Sequence, residues 1–210
     1  GAEKMLSQLA SHLVQTGNNV TIITLKTEHG WDKEFASSGA EILHLADSNK
    51  TVLGKIYEIY QILRVKRPDI VSSWLYKSDF VSSLACLIYR KSKLVWNVRH
   101  AGLDRDSTSF KTRALVTCLG YLSFIPDKIL TCSETAILTH KKKRYQKSKM
   151  HLIDNGVDIN QYFPSNSGNK NTKSKLFHEY DISNAKALAP YLLLLKSFDI
   201  NIPIPACCSN

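Results

Sequence analysis

GAEKMLSQLASHLVQTGNNVTIITL, residues 1–25, runs from a glycine through an amphipathic helix and a glycine stop into a strand. From Glu3 onward, Met5, Leu6, Leu9, Ala10, Leu13 and Val14 recur at helical spacing and make one apolar stripe. Gly17-Asn18-Asn19 ends the helix, since glycine takes the left-handed conformation that closes a helix at no steric cost. Val20 to Leu25 is rich in β-branched residues, which suit a buried strand. In a doubly wound α/β sheet a helix of this kind follows a strand of its own, and the turn between the two carries ligand-facing backbone. Here the reading opens on that turn, at Gly1.

The same alternation continues outward. Strands are expected at Glu41–Leu45, Ile70–Trp74, Leu94–Val98, Lys128–Cys132 and Met150–Ile153. Helices are expected at Val52–Val65, about Lys77–Tyr89, Phe110–Phe124 and Glu134–Arg144. Pro68-Asp69 and Pro126-Asp127 punctuate the chain before two of the strands. Regular alternation predicts an α/β fold, a doubly wound, Rossmann-like parallel sheet with helices on both faces. Beyond Gly156 the pattern lapses. Residues 1–164 are expected to form the Rossmann-like domain and 165–184, rich in Ser, Asn and Gly, a linker. Residues 185–210 read as a remnant of a second domain or a non-native tail.

Of the 210 residues, 43% are hydrophobic and 22% charged, the composition of a soluble globular protein. No apolar run approaches the roughly 18 residues of a membrane span, and no leader pattern is found, so a cytoplasmic location is expected. The five cysteines show no metal spacing; Cys86, Cys118 and Cys132 sit in apolar segments and read as reduced core thiols. The net charge of +10 points to a polyanionic neighbour. Short basic runs at residues 64–67 and 90–93 fit ordinary helix ends. A longer one, with Lys141, Lys142, Lys143, Arg144, Lys147 and Lys149, predicts contact with an anionic membrane surface, peripheral on its inner face. Nucleic acid is disfavoured as a partner, since no nucleic-acid-binding motif accompanies the charge. A basic nucleic-acid- or membrane-surface-binding Rossmann-like module without catalysis is the alternative to an enzyme. A dinucleotide enzyme is disfavoured because no G-x-G-x-x-G follows any strand.

The ordered segments GAEKML, RPDIVSSWLYKSD, VWNVRHAG, PDKILTCSE and KMHLIDNGVDINQYFP resemble the N-terminal domain of family-4 glycosyltransferases, over about residues 1–182. The Asn-Gly-Val-Asp turn followed by Phe-Pro is the most specific of these. The resemblance implies a two-domain B-type fold and a retaining enzyme that takes a nucleotide sugar as substrate and needs no metal or other cofactor. Many members build lipopolysaccharide, capsule and other surface glycans, which implies a glycan or lipid-linked acceptor. It also implies a second domain that binds the donor through a basic pair and a Glu-x7-Glu motif. No two glutamates in this sequence have that spacing. A truncated chain, inactive alone, is therefore expected.

In parallel α/β sheets ligands bind beyond the carboxyl ends of the strands. His100 follows one strand, and the resemblance places a histidine there beside donor sugar and acceptor, the catalytic candidate; an imidazole can donate a hydrogen bond or take a proton near neutral pH. Arg99 is placed to hold a phosphate or carboxylate, and Gly102 closes the same turn. Trp74 and Tyr76 either stack on a sugar or pack in the core. Ser133 reads as a helix N-cap that could also touch the acceptor, as could Glu134. Asn155 and Gly156 make the turn out of the domain and would line the cleft. Gly1 is the phosphate-proximal candidate, with helix N–H groups behind it.

Overall fold

Helix and strand alternate from the first residues in the computed structural model, whose described residues are 1–26, 30–45, 51–100, 103 and 108–154. Helix α1 (Ala2–Gln15) leads to β1 (Thr21–Thr24), and α2 (Asp32–Ser37) to β2 (Glu41–His44). Next come α3 (Val52–Lys66), β3 (Ile70–Trp74), α4 (Tyr76–Tyr89) and β4 (Lys93–Val98). Then α5 (Phe110–Leu122), β5 (Lys128–Thr131), α6 (Glu134–Lys141), a 3₁₀ turn at Lys147–Lys149 and β6 (Met150–Leu152) complete the order. The chain divides into two compact units, residues 1–153 and 154–210. The expected linker and tail lie outside the described residues.

All the strand pairings among the described residues are parallel. β1 lies beside β2, Ile22 opposite Ile42, and a four-stranded sheet runs β3-β4-β5-β6. Within the larger sheet β4 is buried from Leu94 to Val98, as a strand covered on both faces must be. Its Trp96 is fully buried and donates its indole N–H to Ser83 Oγ at 2.9 Å. The main core gathers Ile56, Ile59 and Leu63 of α3, Val81 and Ala85 of α4, Val116 and Leu119 of α5, and Ile129 of β5.

Local chemistry explains the boundaries. Gly17 takes φ +83° and its N–H bonds Val14 O, so the glycine stop closes α1. Side-chain caps start three helices: Thr51 accepts from Gly54 N–H, Ser109 from Thr112 N–H, and Ser133 from Ala136 N–H. Each such cap stabilises its helix by about 1 kcal/mol. Asp127 accepts from the N–H of Leu94 at 2.9 Å and from Lys93 Nζ at 3.1 Å, so the Pro-Asp turn ties β5 to β4. Of the short basic runs, Arg64 and Lys66 lie in the last turn of α3, where Lys66 pairs with Glu41.

Three expectations need correction. Helix α2 was not foreseen: it is six residues long and buries Phe35, with Ser7 Oγ of α1 donating to the Glu34 carbonyl, and it is too short for a stripe to show. Helix α6 ends at Lys141, not at Arg144, because Arg144 adopts φ +69° and the chain turns Tyr145 inward, where it is 3% exposed. Cys118 is exposed and Cys132 partly so; only Cys86 of the three is a buried thiol, its pKa pushed up to about 12 by burial.

Candidate functional site

The carboxyl ends of β3 and β4 open into a cleft of about 350 Å³. The turn from β3 into α4 contributes Leu75 and Tyr76, the end of β4 contributes Val98, Arg99 and His100, the approach to α5 contributes Thr108 and Ser109, and its first turn Thr112. Its floor is braced. Asn97, fully buried, donates from Nδ2 to Ser72 Oγ at 2.9 Å and to Ser73 O at 3.0 Å, linking β3 to β4 just below the opening.

Leu75 stands at φ +72°, ψ 151°, a region that is nearly glycine-only, and it lies 45% exposed at the cleft wall. Strain of about 1–3 kcal/mol at such a residue persists only where the surroundings enforce it. Here the enforced turn lets α4 begin directly on Tyr76. The Tyr76 hydroxyl lies 2.8 Å from Nε2 of His140, and its ring meets His100 edge-on at 6.3 Å. Burial, with the nearby carboxyl of Asp79, pushes the Tyr76 phenol well above its ordinary pKa, so it remains a neutral donor.

The sequence candidates fall into three groups. Tyr76, Arg99 and His100 come together in the cleft. Trp74 is 8% exposed, and the Arg99 guanidinium stacks over its ring at 4.8 Å, so the indole backs the cleft from beneath. Ser133 caps α6, Glu134 is exposed in the first turn of that helix, and Gly1 precedes α1; none of these three lines the cleft. Gly102, Asn155 and Gly156 lie outside the described residues. Sequence reasoning missed Ser109, Thr112 and His140. Ser109, just before an expected helix, carried a cap signature that marks the far end of the connection as a second wall. His140 carried no such signal.

Residues 1–161 match the family model for Glycosyltransferase Family 4. The chain belongs to glycosyltransferase family 4. Solved structures agree on its fold, the doubly wound parallel α/β domain of B-type glycosyltransferases. The Anabaena protein HepE, solved with UDP-glucose, is similar with a TM-score of 0.62 at 15% identity, over 83% of this chain and 46% of that one. The lipopolysaccharide outer core galactosyltransferase WaaB in its apo form gives 0.58 at 15%, over 80% and 46%. A glycosyltransferase of Rickettsia africae gives 0.54 at 18%, over 85% and 45%. This family-4 chain thus spans about half the length of the solved structures it matches. No curated protein matches it significantly.

Proposed function

We propose that this family-4 chain forms the acceptor-side part of a retaining glycosyltransferase that moves a hexose from a nucleotide sugar to a lipopolysaccharide, capsule or other surface-glycan acceptor. The observation that carries the reading is the convergence of Tyr76, Arg99 and His100 in one cleft at the strands' carboxyl ends. A tyrosine ring supplies an apolar face with a polar edge, and imidazole and guanidinium supply donors to hydroxyl or anionic oxygen. That HepE was solved with UDP-glucose, and that WaaB is a galactosyltransferase, supports a hexose donor. In this reading His100 hydrogen-bonds the sugar under transfer, Arg99 holds an anionic group of the acceptor, and the cleft needs no metal.

Titration of the 210-residue chain with a panel of hexose oligosaccharides, followed by NMR, tests this. Signals of Tyr76, Arg99 and His100 are expected to move together. His100→Ala should weaken binding roughly tenfold, the worth of one good hydrogen bond to a charged or polar partner. The exposed His100 contributes little to the core, so the melting temperature should stay put. Shifts confined to another surface would overturn the assignment. Transfer from UDP-glucose by this chain alone is expected to be absent, because the reading leaves donor activation to a second domain; turnover would contradict it.

We further infer that the basic run meets an anionic membrane. Lys141, Lys142, Arg144 and Lys147 are exposed, and beside them Tyr121 and Phe124 are 58% and 55% exposed, with Arg144 stacked over Tyr121 at 5.1 Å. Aromatic rings beside cations suit the headgroup layer. Lys149 belongs less to this surface, since its ammonium is held by the carbonyls of Phe124 and Pro126. No helix among the described residues is long and apolar enough to cross a membrane, so attachment would be peripheral. Liposome sedimentation should show binding that requires anionic lipid and falls with salt. Replacing Lys141, Lys142 and Lys143 together with glutamine should weaken it roughly a hundredfold at low salt, at about 1 kcal/mol per cation. Equal binding to neutral vesicles would rule the reading out.

A further inference from the structure

Behind the cleft the rings of Trp96, Tyr145, His140, Tyr76 and His100 form a continuous column from the core to the opening. Trp96 and Tyr145 meet edge-on at 6.0 Å, Tyr145 and His140 edge-on at 4.9 Å, and His140 and Tyr76 at 5.8 Å. Tyr76 then meets His100 edge-on. The inner three are buried, Trp96 and His140 completely, and the outermost is exposed.

We propose that His140 is a positioning residue for His100, acting through Tyr76. This rests on the reading above that His100 is the working group of the cleft.

The hydrogen-bond chemistry defines the arrangement. His140 Nδ1 lies 2.7 Å from the carbonyl oxygen of Ala136, four residues earlier on the same helix. A carbonyl only accepts, so Nδ1 carries the proton and Nε2 of the neutral ring is an acceptor. The Tyr76 hydroxyl, 2.8 Å from Nε2, therefore donates. Burial holds the His140 pKa below its ordinary value, which keeps the ring in this single neutral form. Tyr76 is thus fixed at both ends, by the enforced turn at Leu75 in its backbone and by His140 at its hydroxyl. Among the described residues, the ring contact made by His100 is with Tyr76. A group that reaches sugar must be held to within about half an ångström, and a ring locked by a buried partner does this better than a free one.

The alternative is that His140 only fills the core. NMR of the imidazole Cε1–H group of His100 in the full chain separates the two without any substrate. Tyr76→Phe keeps the ring and removes the hydroxyl, while His140→Leu removes both hydrogen-bonding atoms. Each is expected to displace or broaden the His100 signal. His140→Gln, whose amide can donate to Ala136 O and accept from Tyr76, is expected to restore it. If Tyr76→Phe and a folded His140→Leu leave the His100 signal at its wild-type position, the proposal falls. Should His140→Leu fail to fold, Tyr76→Phe alone decides. The readout needs no sugar, so displacement of the signal supports the positioning role even if oligosaccharides fail to bind and the functional reading is lost.

Discussion

Gly120→Ala is expected to destabilise the protein by at least about 3 kcal/mol, lowering the melting temperature by roughly 10 °C. Gly120 sits inside α5, where alanine is intrinsically preferred over glycine by about 1 kcal/mol, so the packing cost must exceed that gain. It does so because a Cβ at this position would overlap the carbonyl oxygen of Lys143 and lie 3.0 Å from its carbon. Both are backbone atoms, and no rotamer can move them aside. The segment they belong to is clamped along its length. Gln146 N–H donates to Ser123 Oγ at 3.0 Å, Ser123 Oγ donates to Gly120 O at 2.7 Å, and Lys149 reaches the carbonyl of Pro126 at 2.7 Å. Displacing it would also withdraw Tyr145 from Trp96 and His140. Gly17→Ala is the control: its Cβ would meet open space, and only the positive φ is strained, at a cost of about 1–2 kcal/mol. Equal melting temperatures for Gly120→Ala and wild type would refute the packing argument.

That contact also shows what the sequence hid. Apolar periodicity places α1, α3, α4 and α5, and runs of apolar and β-branched residues place the strands among the described residues, even β2, which buries no residue fully. Strand β4 is legible as the run Leu94–Val98 because both of its faces are covered. What periodicity cannot show is where a helix is crossed by another piece of chain. Gly120 reads as an indifferent glycine among apolar neighbours, and Lys141 to Arg144 read as one more helical turn. The structure instead needs a left-handed Arg144 to bring Tyr145 beneath β4.

The candidate site was legible to the same degree. Tyr76, Arg99 and His100 lie just past strand ends, where the topology alone directs attention. His140 lies at the far end of a helix, among lysines, and its sequence neighbours describe a solvated surface. It is nevertheless fully buried, because α6 is short and its last turn packs inward against Tyr145. Meetings between residues more than sixty positions apart, such as Tyr76 and His140, depend on how two helices dock, and a single sequence carries no direct record of that.

Asp79→Asn is expected to stabilise the protein increasingly as pH rises, by roughly 1.4 kcal/mol per pH unit within the window in which wild-type folding takes up a proton. Asp79 is fully buried near the start of α4. Ser73 Oγ donates to its Oδ1 at 2.6 Å, and Oδ2 has no hydrogen-bond partner among the described residues. Burial pushes the carboxyl well above the usual carboxylate range, and the bond from Ser73 only partly opposes this. The sign follows. Below about pH 4 the acid is protonated in both states and its contribution is whole. As pH rises the unfolded chain releases the proton first, the folded chain keeps it, and stability falls until the folded pKa is passed. His140 works the other way: burial lowers its pKa, so its contribution is present above about pH 6.5 and lost as pH falls through the folded value. Both chains contain His140, so its slope cancels when the variant is compared with wild type at each pH. Urea denaturation of the two from pH 5 to pH 8 therefore isolates Asp79. A difference that stays constant across that range would mean that the acid is ionised in the folded protein, with a partner on its second oxygen.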